Sequence, residues 1–324
     1  MSGPGAAALT PTGTVAGSPG GSRGRSRNRS RTDRLGRHPF AWLFVAPWLV
    51  YLLAVFAVPL VQAGWMSLHD SFFTAPGVSV PQPWLGLGNY TELVRDPQVQ
   101  RAFVNVAEFL LINVPLTTVL ALVLASALNA KLPLRTFFRA AYYIPYVTAS
   151  VAVVTVWLFL FSSNGLVNRV LGPLAPDPSW LSSTGWAMPV IAVFVTWKQL
   201  GLFVVLYLAA LQNIPAEQYE SAEVDGATGL QRWRNITVPG VRQVTSLVVL
   251  LSIVTGANLF TEPYLLTAGG GPVNASASPV LVMYQRGIEQ GRPGYASAIG
   301  IVLVALVLVV ALVSRRLVER GGAR

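Results

Sequence analysis

The sequence predicts an all-α integral membrane protein with six transmembrane helices and both termini in the cytoplasm. The chain has 324 residues, of which 53% are hydrophobic and only 11% are charged, whereas soluble globular chains carry about 25% charged residues. The apolar residues fall into six runs, each close to the length that crosses a bilayer. The Lys and Arg residues collect in alternate connecting segments, which is the pattern of a multi-pass membrane topology.

The first 37 residues differ from the rest of the chain. Gly, Ser, Pro, Thr and Arg dominate, and seven arginines lie between Arg23 and Arg37. Such a segment cannot bury enough apolar surface to offset its ordering entropy, so we expect 1–37 to be a disordered basic cytoplasmic tail. The tail either holds the N-terminus inside or associates with anionic lipid headgroups. The uncharged run that follows, 40–66, is too long for the apolar core of about 7–15 residues in a cleavable signal peptide.

A transmembrane domain is predicted for residues 38–320. A helix needs about 20 mainly apolar residues to cross the hydrocarbon core. The candidate spans are 40–66, 102–128, 140–162, 187–210, 244–267 and 295–314. Prolines inside the runs do not exclude helices, because neighbouring helices can bind the backbone groups that they free.

The distribution of basic residues predicts the orientation of these spans. With the N-terminus inside, the inner segments hold 17 of the 23 Lys and Arg residues and the outer segments hold five. Lys198 lies within a span. Because cytoplasmic segments of membrane proteins carry the excess of Lys and Arg, both termini are expected to be cytoplasmic. The connection between the fourth and fifth spans is then cytoplasmic as well.

That connection, residues 211–243, is the most polar part of the predicted domain. Pro215 fits the first turn of a helix, where its missing N–H is not needed. Gly226 and Gly229 are expected to interrupt the helix, and Pro239 to end a second short helix before the fifth span. The pattern predicts a compact knob of two short helices, which either docks a partner or packs on its own bundle.

The knob resembles the loop shared by the permeases of ABC importers, with the pattern Glu-Ala-Ala-x3-Gly-x9-Ile-x-Leu-Pro. In this chain the pattern begins at Glu220, and Ser221 and Val238 are its departures. In that family the loop is the coupling-helix region, seated in a groove of the cytoplasmic ATPase. The resemblance implies that ATPase coupling involves Glu220, Ser221, Ala222, Asp225, Gly226, Ala227, Trp233, Ile236 and Pro239.

The likeness covers about residues 40–320 and is to sugar-uptake permeases of the maltose/glycerol-phosphate type. The motifs that carry it include Trp197–Gly201, Leu211–Pro215, Asn258–Pro263, Leu266–Pro272 and Gly294–Ala298. It implies a multi-pass subunit of a bacterial plasma membrane. It also implies three partners, namely a second homologous permease, a cytoplasmic ABC ATPase dimer and an extracytoplasmic solute-binding protein. ATP and Mg would be used by the ATPase, with no cofactor bound by this chain.

The sequence contains no motif for a nucleotide-binding, catalytic or metal site in this chain. There is no Gly-x4-Gly-Lys-Ser/Thr phosphate cradle, and Gly269–Gly271 is interpreted as an outer turn. The chain has no cysteine and two histidines, His38 and His69. No catalytic residue and no metal ligand are therefore predicted. The basic residues flank the apolar runs, which indicates contact with membrane lipid and not with nucleic acid.

The polar and aromatic residues of the fourth and fifth spans are the candidates for a substrate path. A sugar requires several hydrogen-bond partners and often an aromatic face. The residues expected to line the path are Trp197, Lys198, Gln199, Asn258 and Glu262. The same groups could instead hold helices together, and Lys198 with Glu108 of the second span could serve an ion relay.

The hypothesis from the sequence is a permease subunit of an ATP-driven ABC importer. It would form part of the path for a sugar, oligosaccharide or related polyol, and would work by alternating access. Two alternatives remain open. One is a secondary-active transporter with its own ion-coupling charges, and the other is a membrane assembly subunit that transports nothing.

Overall fold

The computed structural model describes residues 39–73, 80–130 and 135–320. Within these ranges the regular structure is helical, and His69 and Trp84 form one isolated antiparallel bridge. The prediction for residues 1–37 lies outside the described part of the chain.

The helices of the described ranges are numbered in chain order. They are α1 (Pro39–Leu52), α2 (Val58–Ser67), α3 (Gly88–Arg95), α4 (Pro97–Asn129), α5 (Arg135–Val147), α6 (Ser150–Leu160), α7 (Leu166–Leu171), α8 (Ala187–Leu211), α9 (Ala216–Val224), α10 (Gly229–Arg232), α11 (Val238–Gly240), α12 (Arg242–Ala257), α13 (Thr261–Leu266), α14 (Pro279–Tyr284) and α15 (Pro293–Arg320). Three π-helical segments, Leu53–Ala57, Trp233–Thr237 and Gln285–Glu289, join neighbouring helices, and 3-10 turns form at Gly172–Leu174 and Pro272–Asn274.

By its contacts the chain divides into two compact units, Met1–Ala54 and Val55–Arg324. In the first unit, α1 contains Pro47 and leaves Phe44 and Trp48 exposed. The second unit contains α2–α15 and every site considered below.

Within the described ranges, four helices are long and apolar enough to cross a membrane. They are Phe44–Ser67, Pro97–Asn129, Ala187–Leu211 and Pro293–Arg316. Two further spans are possible if each of two bent helix pairs counts as one. Continuous apolar helices cover the candidate spans 102–128, 187–210 and 295–314.

The candidate span 140–162 is not one straight helix. The chain forms α5 and α6 there, and these helices bend by 99° at their junction. The bend follows Pro145, which has no N–H to donate to the helix. Three residues later, the N–H and the hydroxyl of Thr148 both donate to the carbonyl of Ile144, at 3.0 Å and 2.8 Å.

The candidate span 244–267 is also interrupted, since α12 ends at Ala257 and α13 begins at Thr261. Pro263 accounts for the interruption, because in a continuous helix its ring would clash with the carbonyl of Leu259. That carbonyl instead accepts a hydrogen bond from the hydroxyl of Ser278. A separate bend of 67° lies at the other end of α12, between Gly229–Gly240 and Arg242–Ala257.

α4 and α8 pack against each other along the centre of the second unit. The buried amide of Asn113 on α4 donates to the hydroxyl of Thr196 on α8 at 2.8 Å. Towards the other end, the buried Ala121 and Ala125 leave room for the rings of Phe203 and Tyr207. A polar hydrogen bond and small residues are the usual means by which helices associate in lipid, where the hydrophobic effect between helices is absent.

The backbones of α5 and α8 approach each other closely at Gly201. A β-carbon added to Gly201 would lie 2.7 Å from the Cα atom of Tyr143. Real β-carbons do not come so near to backbone atoms, so only glycine permits this packing.

We therefore expect Gly201→Ala to destabilise the fold by about 1–3 kcal/mol through overpacking. The measurement is the fraction of purified protein that remains monodisperse in size-exclusion chromatography after heating. Gly229→Ala is the matched control, because an added β-carbon there has no neighbour within 4 Å. Equal survival of both variants would contradict the close approach.

Candidate functional site

The polar knob between α8 and α12 begins with α9, whose end is set by Gly226. Gly226 has φ +76°. Its N–H donates to the carbonyl of Glu223 at 3.0 Å, and the N–H of Ala227 donates to the carbonyl of Ala222 at 2.9 Å. This pair of bonds is the Schellman motif, which satisfies the last carbonyls of a helix and requires a left-handed residue that is usually glycine. The helix break expected at Gly226 is thus present.

A second short helix, α10, starts two residues later. The hydroxyl of Thr228 accepts from the N–H of Gln231, and the side chain of Gln231 accepts from the N–H of Thr228 at 2.7 Å. This reciprocal capping box satisfies two backbone donors at the start of the helix. Gly229 is the first residue of α10 and does not break a helix, contrary to the expectation. The chain continues through the π-helical segment into α11.

The outward face of the knob combines two apolar side chains with several carboxylates. Val224 is 89% exposed and Leu230 is 74% exposed. The exposed acids around them are Glu217, Glu220, Glu223 and Asp225. Of these, Glu223 forms an ion pair of 2.9 Å with Arg232. Exposed apolar groups rimmed by polar ones are typical of a protein contact surface.

The inward face anchors the knob to the helical bundle. The indole N–H of Trp233 donates to the hydroxyl of Ser126 on α4 at 3.1 Å, and the ring packs on the core between α4 and α8. The hydroxyls of Tyr219 and Thr237 lie 2.9 Å apart and join α9 to the π-helical segment. These contacts make the knob part of the bundle and not a free loop.

The structure separates the nine residues of the predicted coupling set into two groups. Glu220, Ser221, Asp225, Gly226 and Pro239 are exposed. The partly buried members are Ala222, Ala227, Trp233 and Ile236.

Sequence reasoning missed three residues of this site. Val224 and Leu230 are the exposed apolar residues of the knob, and Ser126 on α4 is the residue to which Trp233 is bonded. Val224 and Leu230 lie within or beside the resembled pattern but are not positions that it specifies. A search for apolar residues on the polar stretch would have found them. Nothing in the sequence pointed to Ser126, which lies 107 residues away from Trp233.

A second polar cluster lies among the membrane helices, where α6, α8 and α13 meet. The ammonium of Lys198 on α8 is 3.9 Å from a carboxylate oxygen of Glu262 on α13. It donates a hydrogen bond to the hydroxyl of Ser150, the first residue of α6. Both charged side chains are mostly buried, and burial of a charge in apolar surroundings requires a partner. Two elements that adjoin a break, α6 and α13, therefore meet the continuous helix α8 at one ion pair.

Aromatic rings extend from this cluster towards the start of α8. Ser150 and Trp157 are seven residues apart and thus lie on one face of α6. The ring of Trp157 lies 5.7 Å from that of Trp197 and stacks on Phe161 at 4.9 Å. The row continues through Trp180 to Trp186, just before α8. Trp197 is 40% exposed, so its surface is open at the polar end of the row.

The remaining path candidates do not all join this cluster. Gln199 has a buried side-chain oxygen without a hydrogen-bond partner among the described residues. Asn258 lines a different cavity of about 640 Å³ together with Phe260 and Tyr284. Within the described ranges Glu108 forms no ion pair with Lys198, and the carboxylate beside Lys198 is that of Glu262. The relay formed by Glu108 and Lys198 thus has no geometric support.

At the predicted outer end of the bundle, ion pairs fasten α3 and the start of α4 to the segment before α15. The guanidinium of Arg292 donates one hydrogen bond of 2.7 Å to each carboxylate oxygen of Glu92. Arg286 contacts Asp96 at 2.9 Å, and the same carboxylate accepts from the hydroxyl of Tyr295 at 3.0 Å. The hydrogen bond from Arg292 lowers the pKa of Glu92, against a smaller opposing effect of burial.

This lowered pKa gives a pH prediction. Because the folded protein favours ionised Glu92, its stabilising contribution is complete above the ordinary glutamate pKa of about 4.3 and is lost as the pH falls through the lowered value. We expect Glu92→Gln to survive heating less well than the wild type at pH 7, by a small margin because the pair is partly exposed. The difference should disappear at more acidic pH. The exposed Glu217→Gln is the control, and a difference unaffected by pH would contradict the ion pair's role.

Comparisons with known proteins agree on one family. The family model of the binding-protein-dependent transport system inner membrane component matches residues 117–321. The described residues contain no group of three or more His, Asp or Glu side chains that could hold a metal ion.

Curated relatives match most of the chain. The arabinooligosaccharides transport system permease protein of Bacillus subtilis is 32% identical over 85% of this chain and 87% of its own length. The lactose transport system permease protein of Rhizobium radiobacter is 32% identical over 83% and 90%. The trehalose/maltose transport system permease protein of Thermococcus litoralis is 31% identical over 82% and 89%.

A solved structure supports the fold. A chain of a bacterial ABC transporter that imports the acidic polysaccharide alginate superposes with a TM-score of 0.74 at 22% identity. The match covers 88% of this chain and 96% of that one.

Proposed function

This chain belongs to the family of binding-protein-dependent transport system inner membrane components, and we propose that it is a permease subunit of an ATP-driven ABC importer for a sugar or oligosaccharide. The relatives that carry sugars in their names support the substrate class. The proposed assembly contains a second homologous permease, a cytoplasmic ABC ATPase dimer and an extracytoplasmic solute-binding protein. It lies in a bacterial plasma membrane with six spans and both termini inside.

The observation that carries the coupling proposal is the two-sided knob. Its outward face offers Val224 and Leu230 among carboxylates, which suits a groove on the ATPase with an apolar floor and basic rim. Its inward face is tied to α4 through Trp233 and Ser126. A displacement of the ATPase would therefore reach α4 directly, and not be lost in a flexible loop. ATP would close the ATPase dimer, and hydrolysis would reset it.

The polar cluster is proposed to line the substrate path. The ammonium of Lys198 has three donors, of which Ser150 accepts one, and the Glu262 carboxylate at 3.9 Å is too distant for a direct hydrogen bond. Both groups thus retain capacity to bind hydroxyls. Trp197 supplies the exposed aromatic ring of this region. Hydroxyl-binding charges combined with an aromatic surface are what a sugar requires.

The two alternatives that the sequence leaves open are less well supported by these features. A secondary transporter would couple transport to its own ion-binding charges, but Lys198 and Glu262 already neutralise each other. An assembly subunit without transport would not explain spare hydrogen-bonding capacity inside the membrane. ATP-dependent uptake into proteoliposomes that contain all four kinds of subunit, tested with arabinooligosaccharides, lactose and maltose, decides between them. Uptake driven by an ion gradient without ATP would favour the secondary transporter.

The first prediction from this proposed function concerns docking of the ATPase. Val224→Ser with Leu230→Ser removes the exposed apolar contact, and we expect the affinity of the permease for the ATPase, measured by co-purification, to fall about thirtyfold, since losing two buried apolar groups costs on the order of 2 kcal/mol. Val273→Ser, which changes an equally exposed apolar residue on the predicted outer side, should have no effect. Undiminished ATPase recovery in the double variant would argue against docking at this face.

The second prediction separates docking from transmission. Trp233→Phe keeps an aromatic ring but deletes the hydrogen bond to Ser126, so we expect normal ATPase recovery with less sugar transported per ATP hydrolysed. The measurement is the ratio of uptake to phosphate release in proteoliposomes. Ser126→Ala removes the same bond from the other side and should reproduce the effect. An unchanged ratio in both variants would show that the anchor is not part of coupling.

The third prediction distinguishes a substrate role from helix association. Lys198→Met leaves Glu262 unpaired, which costs on the order of 3–5 kcal/mol in a buried setting. Adding Glu262→Met removes the unpaired charge, so the double variant should regain thermal stability. We expect it not to regain uptake, because its hydroxyl-binding groups are absent. If uptake returned together with stability, the pair would serve only to hold the helices.

A further inference from the structure

A cavity of about 580 Å³ lies between the end of α6, the connection that leads from α6 to α8, and the end of α13. By the distribution of basic residues this is the outer side of the membrane. The volume is within the range of about 300–1,000 Å³ that small-molecule sites occupy. Five hydroxyl side chains belong to the lining, and we call it the serine cavity: Ser162, Ser163, Ser179, Ser182 and Thr267.

The hydroxyls of the serine cavity suit a ligand that is itself rich in hydroxyls. Ser162, Ser163 and Ser182 are exposed, and each serine hydroxyl has one donor and two acceptor positions. Ser162 donates to the carbonyl of Phe159 at 3.0 Å, which leaves its oxygen able to accept. No Lys, Arg, Asp or Glu lines the cavity among the described residues. A charged ligand would therefore lose water there without gaining a counter-charge.

An aromatic ring forms part of the same wall. Phe161 lines the serine cavity and stacks on Trp157 at 4.9 Å. Trp157 lies 5.7 Å from the ring of Trp197, which precedes Lys198 in α8. The serine cavity and the polar cluster thus lie along one row of aromatic rings, and such rings offer the apolar surface on which a sugar ring packs.

The connection between α6 and α8 holds its hydroxyls in place through its own hydrogen bonds. The indole N–H of Trp180 donates to the side-chain oxygen of Asn168 at 2.6 Å, and the amide of Asn168 donates to the carbonyl of Ser163 at 3.0 Å. The N–H of Ser182 donates to the carbonyl of Ser179 at 2.8 Å. Because these groups are already ordered, a ligand would lose less entropy on binding to them.

We propose that the serine cavity is a receiving site, which binds a neutral sugar before the sugar reaches the path at Lys198. The hydroxyls of Ser163 and Ser182 exchange hydrogen bonds with those of the sugar, and the ring of Phe161 covers one of its apolar faces. The sugar then passes along the aromatic row to the polar cluster. This inference rests on the proposed function, since it adds an earlier binding step to sugar transport.

The test is protection of an introduced thiol, because the chain itself has no cysteine. Ser163→Cys places a thiol in the serine cavity. Gly185→Cys is the matched control, since that residue is outside the lining and an added β-carbon has no neighbour within 4 Å. The purified full-length chain reacts with a maleimide in the presence of maltose, lactose, arabinotriose or the acidic disaccharide digalacturonate, and mass spectrometry measures the labelling rate.

We expect at least one of the neutral sugars, at saturation, to slow labelling of the Ser163→Cys variant about tenfold, because a bound site excludes the reagent. Digalacturonate should not slow it, and labelling of the Gly185→Cys variant should be unchanged by every sugar. Protection by none of the neutral sugars, or equal protection of both variants, would overturn the proposal. Protection by digalacturonate equal to that by the neutral sugars would overturn it as well.

A second comparison tests the hydroxyls themselves. In the Ser163→Cys chain, adding Ser179→Ala with Ser182→Ala should raise the sugar concentration for half-protection about tenfold, since two hydrogen bonds are lost. Adding Ser183→Ala with Thr184→Ala removes two hydroxyls outside the lining and should leave that concentration unchanged. Each variant is first shown to be monodisperse in size-exclusion chromatography. Equal half-protection in both combinations would contradict binding by the serine hydroxyls.

Uptake measured separately keeps this inference distinct from the proposed function. ATP-dependent uptake of the same sugars into proteoliposomes that contain all four kinds of subunit does not depend on the labelling result. Uptake without protection would refute the receiving site and leave the importer in place. A lack of both would count against the proposed function as well.

Discussion

The packing of α4 against α8 is the interaction on which both functional regions depend. A buried hydrogen bond between Asn113 and Thr196 fixes the register of the two helices, and small residues further along allow close contact. Lys198 projects from α8 within the membrane, and Ser126 of α4 holds the knob at the membrane end. If these two helices shifted, the polar cluster and the knob would move together.

The backbone breaks in the membrane domain follow from the same requirement that makes membrane proteins helical. Each N–H or C=O left without a partner in lipid costs several kcal/mol, on the order of 4–8 for transfer to hydrocarbon. The carbonyl of Leu259 is freed where α12 ends, and Ser278 binds it. Ser150 opens α6 after the other break, and Lys198 donates to it. The interruptions thus bring polar groups into the membrane, and one of them, Ser150, bonds Lys198 of the candidate substrate site.

Much of this fold could be predicted from the sequence, because long apolar runs have few alternatives to helices in a membrane. The end of α9 was predictable for a different reason, since the left-handed conformation of Gly226 is one that glycine adopts at little cost. The breaks before Ser150 and after Ala257 were missed because Pro145 and Pro263 alone do not say whether a span bends or continues. The inward direction of Trp233 was missed because its partner Ser126 is distant in sequence. Which side of a short helix faces its own bundle is decided by such tertiary contacts and not by local pattern.

The contact between α5 and α8 at Gly201 limits how this bundle is able to move. Two backbones in contact at a glycine cannot slide past each other without separating, so we expect α5 and α8 to move together as one rigid unit. Any inward and outward opening must then pivot at the corners of the chain, where α6 leaves α5 and where α12 leaves the knob. A substitution that made either bend more rigid would therefore slow transport, even if the contacts with the solute and the ATPase were unchanged.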